Sequence, residues 1–503
     1  MSNGVNGVNH DMKELHMDGH VNGNGRSDDE GQRIKMKRKM SSPMLPAFMV
    51  SAPGKVIVCG EHAVAAIAAS ISLRSYLLVT TLSKSKRTAT LQFPDIDLEH
   101  TWDIDALPWD AFSHPSKKKH YYDLVTALDP DLQKAIQPHL AVVSVDKPDA
   151  ERKVHQNAAA SFLYLFLSLG SKKSAGCLYT LRSTIPLGAG VGSSASVSVC
   201  LAAAMLLQIR ALSGPHPDQP CDEAQVQLER INRWAFVGEM AIHGNPSGVD
   251  NTVATQGKAV VYQRPDYDKP PTVRTLWNFP ELPLLLVDSK TPKSTAAQVA
   301  KVADLRATDE DLLDDCILPA IDMITNKTEA LINQKDFNSK EFESLQRIGK
   351  LMTMNHGLLM SLGVSHPRLE RVRELVDHEE IGWTKLTGAG GGGCSISLIR
   401  PDAPAEKLAE LGRMLEREGF QQFKTTLGGD GVGVLWPAVL KNGLEDQDEE
   451  GGMEIDLDKF LEAPGNDGVE KLVGVQGGGG EREGWKFWRV EVGGTVSGPG
   501  SGR

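Results

Sequence analysis

Three glycines at alternate positions, Gly188, Gly190 and Gly192, run into two serines, Ser193 and Ser194, in the stretch "PLGAGVGSSAS" (residues 186–196). Glycine at that density lets backbone N–H groups converge on an anion with no side chain in the way. "GCLYTLRSTIPL" before it reads as a strand, and "ASVSVCLAAAMLLQIRAL" after it reads as a buried helix. A helix N-terminus presents unpaired N–H groups and a positive dipole end, so a phosphate fits there. The two hydroxyls can reach that phosphate or a Mg2+ ion beside it. The bland alternative is a tight strand-to-helix turn with a serine cap. No lysine stands in the loop as it does in G-x-x-x-x-G-K-[ST]. Positive charge for a phosphate must come from elsewhere in the chain.

Two further stretches carry candidates. "SAPGKVIVCGEH" (residues 51–62) puts Lys55 just after a Pro-Gly pair, and Glu61 and His62 at a strand end. A solvated edge lysine is the plain reading of Lys55. "VGEMAIHGNPSGVDN" (residues 237–251) puts Glu239 on a helix and Asp250 beyond a turn signal. Carboxylates on either side of such a turn can serve a metal and a proton, or Asp250 can simply favour a helix N-terminus. "KLTGAGGGGC" (residues 385–394) fits G-x-G-x-x-G at Gly388, Gly390 and Gly393 only because it is nearly all glycine. The acid expected about 20 residues beyond a dinucleotide-binding loop is not evident.

The elements around these motifs alternate between strand and helix. "FMVSAPGKVIVCG" reads as a strand, a Pro-Gly turn and a second strand; residues 70–82 read as another strand, which "TATLQFPDI" extends. Helices are expected near 121–127, 131–136, 155–170, 222–241, 294–305, 311–324 and 341–362, and a buried strand at 282–289. Residues 1–45 have no hydrophobic period and read as a disordered tail, with a basic patch at "KMKRK". Residues 441–503 read as an acidic and glycine-rich extension in which "KLVGV" and "WKFWRV" form a late hairpin.

Composition narrows the class. The 503-residue chain carries a net charge of −11, which argues against non-specific nucleic-acid binding. Its six cysteines are scattered with no C-x-x-C pair, as in reduced, mostly buried thiols of a cytoplasmic protein. The N-terminus has no apolar run of the secretory type, and the most apolar stretch, residues 195–207, is too short to span a bilayer. A cytoplasmic protein with no membrane and no nucleic-acid partner is expected.

Together, A-P-G-K, P-x-G-x-G-x-G-S-S-A and K-L-T-G-A-G-G-G-G-C resemble the GHMP kinase superfamily over residues 48–440. "APGKVIVCGEHAV", "HGNPSGVDN" and "KLTGAGGGGC" are similar to its mevalonate kinase family. The resemblance implies an α+β, two-domain GHMP kinase fold. Residues 46–280 would form an N-terminal α/β nucleotide-binding domain, and residues 281–440 a C-terminal ferredoxin-like α/β domain. It implies ATP and Mg2+ as cofactors, mevalonate as the small-molecule substrate phosphorylated on its primary hydroxyl, and a homodimer. Phosphomevalonate kinase and a catalytically silent ATP-binding regulator are the alternatives.

Residue by residue, the resemblance places the nucleotide phosphates on Pro186, Gly188, Ala189, Gly190, Val191, Gly192, Ser193, Ser194, Ala195 and Ser196. Ser194 and Glu239 match the Mg2+ ligands, Asp250 the general base, and Lys55 the lysine beside it. Glu61, His62, Gly388 and Ala389 match the substrate side. One departure stands out. The family continues G-E-H-A-V-V-x-G-K, whereas "GEHAVAAIAASISLRSYLL" runs on directly, shorter by about five residues that include the family's Gly-Lys turn.

Overall fold

The computed structural model describes residues 46–265, 271–440, 453–475 and 482–490. The expected N-terminal tail, the acidic run 441–452 and the final stretch 491–503 lie outside the described residues.

Strand Phe48–Cys59 is the spine of the N-terminal half. It pairs antiparallel with Ala65–Thr81 on one side and with Gly433–Leu435 on the other. Flanked on both sides, it is buried along almost its whole length. The expected Pro-Gly turn is a correction: the chain continues as one strand through an irregularity between Pro53 and Lys55. Proline has no N–H to give the ladder, so it is accommodated at a bulge. At the same level the partner strand changes neighbours, and its Ile71 pairs with Leu427.

Helices Asp149–Leu169, Ser193–Gln208 and Cys221–His243 pack together in the same large core as this sheet. The middle one is buried from Ala195 to Leu207, which explains its apolar composition on every face. The helix expected near 121–127 does not form. The Tyr121 carbonyl accepts a hydrogen bond from Trp234 Nε1 at 2.8 Å. The helix begins only after Asp129, whose carboxylate accepts from the N–H groups of Asp131 and Leu132, and it spans Pro130–Ala141.

The C-terminal half contributes strands Leu282–Asp288, Gly382–Leu386, Cys394–Ile399 and Gln421–Leu427. Their spatial order is fourth, first, third, second, with antiparallel neighbours. With helices such as Phe342–Ser361, Pro367–Asp377 and Ala405–Arg417 in the connections, this is the expected ferredoxin-like arrangement. After Leu427 the chain returns to the first sheet as Gly433–Leu435.

The two halves are joined by buried polar contacts as well as by the Ile71–Leu427 pairing. Lys385 forms an ion pair with Glu61, and both side chains are almost wholly buried. Asn355 Nδ2 donates to the other carboxylate oxygen of Glu61 at 2.9 Å. The Thr387 hydroxyl accepts from the Ile57 N–H at 2.9 Å and donates to the Ile57 carbonyl at 3.0 Å.

Residues 455–475 pack against the first sheet. Helices Leu457–Glu462 and Gly465–Leu472 bring Phe460, Val469 and Val473 into a core with Met49 and Tyr76. The expected late hairpin differs in form. Val475 bridges Arg482 singly, and Lys486–Phe487 pairs instead with Gly433 and Val434. No helix among the described residues is long and apolar enough to cross a membrane.

Two outcomes test these placements. Removing one member of a buried ion pair strands the other charge, at a cost of about 3–5 kcal/mol. Lys385→Met is therefore expected to lower the urea midpoint, and adding Glu61→Leu to recover part of the loss. Asp377 accepts from the Thr384 N–H at 3.0 Å, and burial pushes its carboxyl up to about 6. The folded pKa lies above the unfolded one, so this group's contribution to stability is present at low pH and lost as pH rises to about 6. Asp377→Asn should raise the melting temperature at about pH 8 and leave it nearly unchanged near pH 4.

Candidate active site

The glycine loop and the bulged strand are built against each other. Gly188, Gly190 and Gly192 all take left-handed backbone, with φ of 71°, 77° and 78°. Only glycine adopts this readily, and it turns the loop into the N-terminus of helix Ser193–Gln208. The Lys55 N–H donates to the Val191 carbonyl at 2.8 Å. A Cβ on Gly54 would lie 2.9 Å from that same oxygen, which explains the glycine of A-P-G-K.

Gly188, Gly190, Gly192, Ser193 and Ser194 line a cleft of about 1000 Å3. Pro186, Ala189, Val191, Ala195 and Ser196 are buried behind that surface. Ser196 Oγ, for instance, donates to the Ala52 carbonyl at 2.6 Å. The loop candidates thus divide into residues that face the cleft and residues that hold the loop.

Lys55, only 7 % exposed, reaches across to Asp250, with Nζ 3.1 Å from Oδ1. Asp250 sits in the first turn of helix Val249–Gln256, which starts at Gly248 in left-handed backbone. Ser194 Oγ donates to Glu239 Oε2 at 3.2 Å, and Ser198 Oγ to Oε1 at 3.1 Å. Burial first, and then the charge of Asp250, push the Glu239 carboxyl up to about 7. A carboxylate so placed gains from a cation. One hydroxyl and one carboxylate oxygen are the hard donors that Mg2+ takes alongside phosphate.

The shortened segment after His62 closes cleanly. Residues 60–64 make a tight hairpin, and the ladder resumes with Cys59 opposite Ile67. Asp322 Oδ1 accepts from the Ala65 N–H at 2.8 Å and anchors the returning strand. His62 lies in left-handed backbone, and its Nε2 is 2.9 Å from the Ala389 carbonyl. Glu61, His62, Gly388 and Ala389 all border the cleft, although the Glu61 carboxylate is engaged by Lys385 and Asn355.

Lys293 and His243 also belong to the cleft, and the sequence reading passed over both. Lys293 runs between the two glycine loops. A Cβ on Gly190 would collide with its ammonium, and one on Gly393 would lie 2.8 Å from its Cδ. Burial and the nearby Lys55 charge hold the Lys293 ammonium below its usual range. His243 Nε2 lies 3.3 Å from Ser194 Oγ. Glycine runs signal that something bulky lies against them, but no pattern in the sequence says that it is Lys293. One part of the cleft lining is largely apolar, with Phe93, Ile96, Val154, Ala158 and Val197 beside Asp95, Asn157 and Ser161.

Comparison with known proteins gives the family. The GHMP kinases N terminal domain model matches residues 156–258, and the GHMP kinases C terminal model matches residues 334–416. Mevalonate kinase ERG12 of Gibberella zeae is 71% identical over 464 residues, spanning 92% of this chain and 91% of the relative. The Homo sapiens mevalonate kinase is 34% identical over 395 residues, spanning 77% of this chain and 94% of the relative. The crystal structure of L. major mevalonate kinase in complex with R-mevalonate superposes with a TM-score of 0.51 at 20% identity. That match covers 76% of this chain and 96% of the other, and it shows the shared fold. The chain belongs to the mevalonate kinase family of the GHMP kinases.

Proposed function

We propose that the protein transfers the γ-phosphoryl group of ATP to the primary hydroxyl of mevalonate, giving 5-phosphomevalonate. The observation that carries this reading is the Lys55–Asp250 pair, which shares one cleft with the N-terminus of helix Ser193–Gln208. Phosphoryl transfer asks mainly for positioning and charge neutralisation, and those parts supply both.

The nucleotide phosphates rest on the backbone N–H groups of Gly190, Gly192, Ser193 and Ser194. The base enters the apolar part of the cleft. Ser194 and Glu239 would hold Mg2+, which would supply neutralisation of the phosphate charge. Asp250 takes the proton of the mevalonate hydroxyl as that oxygen attacks the γ-phosphorus and the bond to the β–γ bridging oxygen breaks. The Lys55 ammonium, beside Asp250, stabilises the negative charge that develops on the hydroxyl oxygen as its proton leaves. Lys293 faces the phosphates from the opposite loop and adds a second positive charge. Mevalonate lies toward His62 and Ala389. The family reading further implies a homodimer acting in the cytoplasm.

Mevalonate-dependent ADP formation, measured beside phosphomevalonate, galactose and homoserine, tests the reading; turnover with mevalonate alone is expected. Asp250→Asn should lower kcat on the order of 10²–10⁴-fold, the range for loss of a general base. Activity within threefold of wild type would remove Asp250 from that role. Lys293→Met should raise the KM for MgATP and lower kcat, with partial recovery in Lys293→Arg. Unchanged kinetics would leave Lys293 a spacer between the loops.

A further inference from the structure

Arg182 lies near the end of strand Cys177–Ser183, just before the glycine loop, and its side chain is almost fully buried. All of its donor nitrogens are committed. Nη1 donates to the Phe460 carbonyl at 2.7 Å and to the Leu461 carbonyl at 2.9 Å, and Nη2 donates to the Ala463 carbonyl at 2.8 Å. Those carbonyls close the C-terminal end of helix Leu457–Glu462, where a cation is favoured. Nε donates to Asp95 Oδ1 at 3.0 Å.

Asp95 is held a second time, since its Oδ2 accepts from the Ser183 N–H at 2.7 Å. It lies in the short turn Pro94–Ile96, and Phe93, Asp95 and Ile96 border the apolar part of the cleft. A second tie runs parallel. Asn466 Nδ2 donates to the Thr184 carbonyl at 2.9 Å, two residues before Pro186 opens the glycine loop. Residues 457–466 therefore contact the chain just before the glycine loop directly, at Arg182 and Thr184, and reach the Pro94–Ile96 turn through Arg182, without lining the cleft themselves.

We propose that helix Leu457–Glu462 sets the nucleotide wall of the cleft through Arg182 and Asp95, which makes the C-terminal segment a determinant of ATP affinity. The inference rests on the kinase reading above, because it takes the apolar part as the place of the base. Arg182 and Asp95 are positioning residues in it. A guanidinium divided between a carboxylate and a set of helix-end carbonyls fixes the two groups relative to each other. Undocking the helix leaves Arg182 free to swing and Asp95 held by the Ser183 N–H alone.

The test uses the full chain. Phe460, wholly buried, anchors the helix far from the cleft chemistry. Phe460→Ala loosens the helix, and Asp95→Asn weakens the other end of the link while keeping its shape. Binding of a non-hydrolysable ATP analogue and the KM for mevalonate are measured for wild type, each single variant and the double variant. Loss of one charge-assisted link should weaken analogue binding roughly tenfold in either single variant. The double variant should be scarcely weaker than the singles, because both changes cut one path. The KM for mevalonate should stay within twofold.

Independent, additive losses in the double variant would overturn the inference. So would folded Phe460→Ala protein with wild-type analogue affinity, or losses equal for both substrates. Failure of wild type to bind the analogue at all would overturn the kinase reading, and this inference with it.

Discussion

One main-chain hydrogen bond, from the Lys55 N–H to the Val191 carbonyl, locks a bulged strand to a glycine loop far along the chain. Everything at the reacting end of the cleft follows from this contact. It needs Gly54 because any side chain there would press on the Val191 oxygen. It needs Gly192 because a Cβ at that point would lie 3.0 Å from Lys55 Cγ. Once the contact is made, the Lys55 side chain has one productive direction, toward Asp250 and the helix N-terminus. The loop lacks a lysine of its own because the strand brings one to it.

The electrostatics of the cleft then follow from where charge is packed. Two ammonium groups, Lys55 and Lys293, face two carboxylates, Asp250 and Glu239. Only one close ion pair forms among the four, between Lys55 and Asp250. Glu239 is left with two serine hydroxyls, His243 at 3.9 Å and a raised pKa, and Lys293 with burial and the like charge of Lys55. In the proposed reaction a polyanion arriving with a divalent cation would satisfy both. The cleft is thus organised for an incoming salt rather than for its own neutrality.

The sequence made the reacting end legible because its demands are local. Glycines at forced backbone angles, a serine pair at a helix start and a carboxylate after a tight turn are all short-range patterns. The strand and helix succession was readable for the same reason, from apolar periodicity. Tertiary events were not. Pro53-Gly54 looks like a turn until a partner strand is seen running past it. Residues 121–127 look helical until Trp234 claims a carbonyl. Glu61 reads as a cleft residue, and only the buried Lys385, far along the chain, shows that its carboxylate also ties the two halves. Lys293 carries no local mark, because its meaning lies in the two glycine loops that make room for it.

The pairing of Lys486–Phe487 with Gly433–Val434 bears on solubility. Without it, Gly433–Leu435 would bound the sheet with a row of unsatisfied backbone groups, a template for joining another molecule. Gly433 admits the approach, since a Cβ there would collide with the Phe487 ring. Among the described residues the edge passes instead to a strand of two residues, of which Lys486 is exposed. A border that short, marked by a charge, gives a neighbouring chain little to pair with. The Lys486–Phe487 pairing therefore doubles as protection against edge-to-edge aggregation.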